Sequence, residues 1–519
     1  MRRRLALLAL AALAASATTG CTVGPDFHPP AVASPAEWGA EPGGVGSATT
    51  SGPVDPAWWN SFGDRELSSL VSRLVSQNID LQTAVERIRQ AADETDVARS
   101  QGLPQVNGNS SYTHERQSPN GFIALVQPSP AASYDYDIWT NGLSASWELD
   151  LFGRVRRAVE ARRAGTVAAV EARHAVALAS ISTLAQDYLQ LRGTQARLRI
   201  AQRNLVVTQK NMSLVDVQFA NGVGTTLAVA QARAEVATVA ATIPPLVTTA
   251  AALENAIALL LAEPPRALEA ELDAPAPAAI VPPTVPIGLP ADLIRRRPDV
   301  REAEATLHEA TAETGVALAD FYPDVSLTGN FELQGRNVLN AFSLPDRAFV
   351  AGPAIDLPIF EGGRLRATLR LRRSQQREAA DDFRNTVLQA WGDVDNALTA
   401  YAQGQRQRGL TAEEVRDDQV ALDAARESYS QGASDFLNID AAENALLEAE
   451  DALAVADTAI ATDLVGLYKA LGGGWQVADP PQVENPVSTL AAGSDCSARQ
   501  PKQVSSELGM TEADGSCKS

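Results

Sequence analysis

The residues of this chain best equipped for chemistry are few and scattered. Its four histidines, His28, His114, His174 and His308, lie far apart and in no metal-ligand spacing, so no catalytic metal is expected. No Gly-rich phosphate loop and no G-x-S-x-G nucleophile elbow occurs, and no enzyme activity is expected. The other reactive groups are three thiols. Cys496 and Cys517 sit in a Ser/Gly/Gln-rich tail, where they either pair in an oxidising compartment or stay idle. Cys21 closes a different kind of segment. Arg2, Arg3 and Arg4 precede an apolar run, Leu5 to Ala15, too short to span a bilayer, which is the pattern of a bacterial export signal over residues 1–20. Cleavage has two candidate positions, after Ala15-Ser16-Ala17 or before Cys21 in Thr18-Thr19-Gly20-Cys21. The second resembles a lipoprotein box, in which Cys21 becomes a diacylated N-terminus, the one covalent group expected in place of a cofactor. Thr22 rather than Asp follows it, which resembles a signal for release to the outer membrane.

A formal net charge of -20 argues against nucleic acid or an anionic lipid surface as partner. At 519 residues the chain has room for several domains, yet 5% aromatic content is thin for compact globular ones. Periodicity explains the mismatch. Val170, Ala177, Leu184, Leu191, Leu198, Leu205, Met212 and Phe219 fall every seventh residue. They return 210 residues later as Ala380, Val387, Val394, Tyr401, Arg408, Val415, Leu422 and Tyr429. A seven-residue repeat sustained this long specifies a left-handed supercoil. With no Pro inside either stretch, each reads as one helix, 154–220 and 364–430, roughly 100 Å long.

Around each long helix the same plan recurs. The first repeat, 63–262, has helices, then strands at about 104–112 and 141–152, the long helix, and a shorter helix at 225–262 that Pro244-Pro245 should bend. A Pro/Ala linker occupies 263–290. The second repeat, 291–471, has a helix, strands at about 324–334 and 348–360, the long helix, and a shorter helix at 436–471. Residues 21–62 should be an extended or loosely ordered, lipidated N-terminal segment, and 472–519 a disordered tail.

Two hairpins cannot close a barrel, since closed barrels start at about eight strands. Leu143, Ala145, Trp147, Leu149 and Leu151 alternate with Ser144, Ser146, Glu148 and Asp150, as in a membrane barrel wall. Aromatics gather here too: 7 in residues 103–152 and 6 in 321–360, in under a fifth of the chain, as interfacial girdles require. A chain carrying part of a barrel must oligomerise.

Several stretches resemble the TolC-like outer-membrane efflux channel family, and most closely its NodT-type lipoprotein branch. They include Cys21-Thr22-Val23-Gly24-Pro25-Asp26-Phe27, Trp58-Trp59 with Phe62-Gly63-Asp64, and Trp147-Glu148-Leu149-Asp150-Leu151-Phe152-Gly153-Arg154. Further along come Arg297-Pro298-Asp299-Val300, Phe360-Glu361-Gly362-Gly363-Arg364 and Ala470-Leu471-Gly472-Gly473-Gly474-Trp475, in the family's order. The resemblance implies a mainly α fold with a transmembrane β-barrel portion. Three copies would form a homotrimer whose 12 strands close a barrel in the outer-membrane lipid and whose long antiparallel coiled coils form an α-barrel in the periplasm. It implies the passive exit duct of a tripartite efflux pump, completed by a periplasmic adaptor (membrane fusion) protein and an inner-membrane RND-type transporter. The gate then belongs at the tips where long helix meets short helix. Tyr429-x-x-Gly432-x-x-x-Phe436-Leu437 matches the family's tip, and Phe219-x-x-Gly222-x-x-x-Thr226-Leu227 is its counterpart. Gly222 and Gly432 suit a left-handed turn. Tyr429 and Leu437 could form a constricting apolar ring or pack as ordinary coiled coil. Asp435 and Asp440 could form acidic rings or simply face water. Where the family often continues Leu-Asp-Ala-Gln-Arg, this chain has Asp440-Ala441-Ala442-Glu443-Asn444, so the charge lock of relatives is not expected. The alternative of a different class is a periplasmic coiled-coil scaffold or adaptor without a barrel.

Overall fold

The computed structural model describes residues 22–31, 49–50, 52–116, 118, 135–274, 285–286, 295–431, 433–434 and 436–478. The expected export signal, Cys21, and the tail with Cys496 and Cys517 lie outside the described residues.

Local chemistry sets the element boundaries. The Asp64 carboxylate accepts from the amides of Glu66 and Leu67 and caps α1 (Arg65–Gln77). The Asn78 side chain does the same for α2 (Ile79–Ser100) by accepting from the Leu81 amide. Strands β1 (Gln105–Arg116) and β2 (Asp135–Leu149) follow. Gly153, at φ +86°, then turns the chain into α3 (Arg154–Ala220), a single helix of 67 residues. The Asp150 carboxylate accepts from the free amides of Val155 and Arg156 at its start. The Thr225 side chain caps α4 (Thr226–Leu260), which continues as helix through Pro244 and Pro245. After a short helix, α5 (Glu269–Leu272), the plan repeats as α6 (Pro298–Ala319), β3 (Asp324–Gly335), β4 (Arg347–Asp356), α7 (Arg364–Ser430) and α8 (Phe436–Ala470). Gly363, at φ +89°, opens α7 as Gly153 opens α3. All four ends of α3 and α4 recur 210 residues later in α7 and α8.

The main core lies midway along the long helices. There Ala177, Leu184 and Leu191 of the first seven-residue stripe meet Val387, Val394 and Tyr401 of the second. Trp58 is fully buried among them, stacked on Tyr468 at 5.0 Å, with its indole N–H donating to the Gly473 carbonyl at 3.0 Å. Trp475 closes the same core by donating to the Arg296 carbonyl at 3.1 Å.

Parts of three segments expected to be loose are built into this body, one of them the start of the expected disordered tail 472–519, where Trp475–Ala478 form a short helix with Trp475 and Ala478 buried in the core. Residues 22–27 dock on α3 through Arg157 and on α6 through the Phe27–His308 stack. In the stretch read as a linker, Leu268, Leu272 and Val285 enter the core, and Val285–Pro286 pair in parallel with Thr49–Thr50. Arg73 holds the linker's start by binding Glu263 at 2.6 Å and Glu271 at 2.9 Å. Pro/Ala-rich composition misleads here because a few leucines and one ion-pair cluster are enough to anchor a segment against a large body.

The four strands form one antiparallel sheet in the order β1-β2-β3-β4. The two expected hairpins are therefore joined by pairing of β2 with β3, Leu143 opposite Phe331. Directly paired residues share a face. One face carries Val106, Tyr112, Leu143, Trp147, Leu327, Phe331, Phe349 and Ile355; the other carries Asn107, Asn109, Ser144, Ser146, Ser326, Thr328 and Asn330. The apolar face is open: Val106, Leu143, Phe349 and Ile355 are 64%, 55%, 77% and 71% exposed. Aromatic pairs mark both ends, Tyr112–Trp139 at 4.7 Å far from the helices and Phe152–Tyr322 at 4.8 Å beside them.

Trp58→Ala removes the largest fully buried side chain together with its stack and hydrogen bond, and should destabilise the fold by about 3–5 kcal/mol, read as a lowered midpoint of the helical signal in denaturant titration.

Candidate functional site

Two places gather the residues that could control or anchor a channel: the helical tips and the junction between strands and long helices.

At the first tip α3 ends at Ala220, and Gly222 takes the left-handed turn at φ +80°. The amides of Val223 and Gly224 both donate to the Gln218 carbonyl at 3.1 Å before α4 begins. At the second tip Ala433 N donates to Ser428 O at 2.9 Å. Gly432, Asp435 and the side chain of Phe436 lie outside the described residues. Tyr429 packs within its own hairpin, against the small core of Leu422, Ile439 and Leu446. Its hydroxyl accepts from Gln218 Nε2 at 3.1 Å, which ties the end of α7 to the end of α3. Phe219, Leu227 and Leu437 remain exposed in the single chain, at 47%, 67% and 58%.

Sequence reasoning missed the polar centre of this tip. Glu443 is buried and accepts from Asn211 Nδ2 of α3 at 2.7 Å and from Arg426 of α7 at 3.3 Å. Farther up, Arg197 binds Asp451 at 2.8 Å and Arg203 binds Glu450 at 2.8 Å, again joining α3 to α8. A carboxylate three residues beyond Asp440 on a helix spaced for coiled-coil contact was the available signal. Asp440 itself is half-buried, and burial raises its carboxyl above the usual range. Burial also raises that of Glu235, with Asp440 and Glu448 adding to it.

At the junction the N-terminal segment is strapped to the start of α3. Val23 N donates to Phe152 O at 3.1 Å. The buried guanidinium of Arg157 donates to Val23 O (3.2 Å), Gly24 O (3.3 Å), Asp26 Oδ1 (2.7 Å) and Glu160 Oε2 (2.8 Å). That pairing holds the Asp26 carboxyl below its ordinary value. Phe27 stacks on His308 at 4.4 Å, and His308 meets Glu160 at 3.0 Å. The fit needs glycine: a Cβ on Gly153 would lie 2.7 Å from Thr22 Cγ2, and one on Gly24 would lie 2.6 Å from Gly315 Cα. Thr22 is thus fixed beside the aromatic pair that ends the sheet. Cys21, the expected lipid site, is outside the described residues. Among the described residues no group of three or more His, Cys, Asp and Glu is placed to hold a metal ion.

A sheet with one open apolar face and one polar face, continuous with helical rods of about 100 Å, defines a subunit of an outer-membrane channel. Known proteins agree. Residues 70–263 and 289–473 match the outer membrane efflux protein family, and the chain belongs to that family. It is 32% identical over 486 residues to nodulation protein T of Rhizobium leguminosarum bv. viciae, covering 92% of this chain and 95% of that one. It is 28% identical over 465 residues to the cation efflux system protein CusC of Escherichia coli O6:H1, covering 89% and 97%. Among solved structures it resembles the outer-membrane channel OprN, with a TM-score of 0.81 and 33% identity over 88% of this chain and all of that one. The protein is an outer-membrane efflux channel, and the scaffold without a barrel is set aside.

The raised carboxyls give the tip a pH dependence of definite sign. Because the folded-state values of Asp440 and Glu235 lie above those of the unfolded chain, their contribution to stability is full below the ordinary carboxylate range, about pH 4. It is lost as pH rises through the raised values. Amide hydrogen exchange across residues 428–445, corrected for intrinsic rates, should therefore show better protection just below about pH 4 than near neutral pH. The Glu235→Gln/Asp440→Asn protein should lose that difference; a difference that survives both substitutions would refute the assignment.

Proposed function

We propose that three copies of this chain close a 12-stranded barrel in the outer membrane, continuous with a periplasmic tunnel of long helices. The assembly is the passive exit duct of a tripartite pump. A periplasmic adaptor (membrane fusion) protein and an inner-membrane RND-type transporter supply the drive and choose the small-molecule cargo. The observation that carries this reading is the sheet. Val106, Leu143, Phe349 and Ile355 leave most of its apolar face open, and β1 and β4 each keep one edge with no strand beside it among the described residues. From Leu149 to Trp139 the apolar face runs roughly 33 Å along the strand. At a tilt of about 40° that is roughly 25 Å of height, the apolar band of outer-membrane barrels. Four strands are too few to close, and three copies supply enough. Helix α4 supports the same reading: it is apolar enough to cross a membrane by composition, yet almost none of its most apolar stretch is buried in the single chain. A neighbouring copy is what would cover it.

Cys21 carries the lipid anchor. Thr22 is held beside Phe152 and Gly153, at the helical end of the sheet, where acyl chains reach the inner leaflet. The gate is the pair of tips. Gln218–Tyr429 is its latch; Leu437, Leu227 and Phe219 are the apolar residues left at its mouth, Gly222 is the turn of the first tip, and Gly432 is its counterpart in the sequence. Asp435 and Asp440, next to the second tip in the sequence, give it a preference for cations.

Single-channel recording on the purified trimer tests the channel and its latch together. Wild-type protein should give a heat-modifiable trimer with small closed-state conductance. Tyr429→Phe should raise open probability about 2- to 10-fold, the effect of losing a hydrogen bond worth about 0.5–1.5 kcal/mol. A monodisperse monomer, soluble without detergent, would overturn the duct. Mass spectrometry checks the anchor: the acylated N-terminal peptide beginning at Cys21 should be present in the native protein and absent after Cys21→Ser.

A further inference from the structure

The internal duplication predicts its own contact between copies. Within the chain, α8 of the second repeat packs on α3 of the first, through Arg197–Asp451, Arg203–Glu450 and Asn211–Glu443. Helix α4, the first repeat's equivalent of α8, packs substantially on α3 alone among the described residues. In a ring of alternating repeats, the junction between copies must place α4 of one copy on α7 of the next. Its facing residues follow from the offset of 210. Arg233 takes the place of Glu443, and Ala421 that of Asn211.

The charges at this position are reversed between the repeats. In the second repeat the hairpin pair is Arg426 on the long helix with Glu443 on the short one, at 3.3 Å. In the first repeat the same two positions hold Asp216 and Arg233, at 3.6 Å. Glu443 is buried because α3 covers it, whereas the Arg233 side chain is 66% exposed. The covering helix shows the complementary pattern. On α3, Asn204 and Thr208 are buried. Their counterparts on α7, Glu414 and Asp418, are exposed and half-buried. Asp418 lies one helical turn before Ala421 on the same face. Ala421 is short where Asn211 is long, which leaves room for an arginine to lie across it.

We propose that Arg233 of one copy crosses Ala421 of the next and pairs with that copy's Asp418, and that this charge-reversed contact sets the register between copies. This rests on the homotrimer reading above and adds which side chains select the neighbour. The inversion makes the junction specific. A short helix carrying Glu in this position fits α3, with its Asn and nearby arginines. One carrying Arg fits α7, with its acidic flank. Exchanging the two would set like charges together.

The double variant Asp216→Arg/Arg233→Glu keeps the hairpin pair in the polarity that the second repeat already uses, so each chain retains its local fold, checked by its helical signal. It should lower the trimer fraction in native mass spectrometry by roughly tenfold or more, the scale of like-charge contact across an interface. Adding Asp418→Arg should restore the trimer. In a Cys496→Ser/Cys517→Ser background, Arg233→Cys with Ala421→Cys should give covalent trimers with a short thiol crosslinker, and either alone only monomers. A wild-type trimer that is indifferent to the charge reversal and gives no crosslink would overturn this contact while leaving the duct intact. A monomeric wild-type protein would instead overturn the homotrimer on which the contact rests.

Discussion

The constraint on which this molecule depends is an unsatisfied sheet. Four antiparallel strands expose an apolar face of Val106, Leu143, Phe349 and Ile355 with no core beneath it. Among the described residues no strand pairs with the outer edges of β1 and β4. In water such a surface invites aggregation; in a bilayer each unpaired backbone group is still more costly. Lipid solves the first problem and only edge pairing solves the second. Barrel closure by further copies meets both demands at once, and the Asn- and Ser-rich face then lines water. Everything on the helical side has to bring those edges to the right place.

That positioning is done by rigid bodies rather than loops. Gly153 and Gly363 turn strand into helix within a few residues, so tilt of the sheet is transmitted directly to the rods. The core around Trp58, Tyr188 and Tyr401 fixes the helices to one another midway along their length. Arg157 and the Phe27–His308 stack fasten the N-terminal segment across the first helix start. Beyond the core, toward the tips, packing thins to a small cluster at Leu422, Ile439 and Leu446, and polar contacts such as Asn211–Glu443 carry more of the cohesion. A rod stiff in the middle and held by hydrogen bonds at its end can move at that end alone, which is what a gate requires.

Much of this architecture was legible in the sequence because it is periodic. The seven-residue stripe gave the rods, and its return 210 residues later gave the duplication. Alternation in 143–151 gave the wall. The tips were legible only in part. Glycine at the turn is a backbone requirement and can be read directly, whereas Gln218, Asn211 and Glu443 come together only when α3, α7 and α8 are assembled. Arg157 was invisible for the same reason, since all but one of its partners lie in a Pro- and Gly-rich stretch more than a hundred residues away. Composition describes what a segment would do alone, and 22–31 is not alone.

Duplication also changes the thermodynamics of assembly. Six identical repeats would have to form six junctions between separate molecules, each burdened by the loss of translational and rotational freedom. Joining repeats in pairs makes every second junction intramolecular, so half of that burden is met during folding. The covalent link then frees the two junction types to diverge, because each is occupied by only one combination of repeats. Gly193, where a Cβ would lie 2.0 Å from Thr458 Oγ1, shows how closely α8 approaches α3 inside the chain. The corresponding residue on α7 is Gln403, too large for the same approach. In the proposed ring the two junctions then differ in spacing as well as in charge, which leaves it threefold rather than sixfold symmetric.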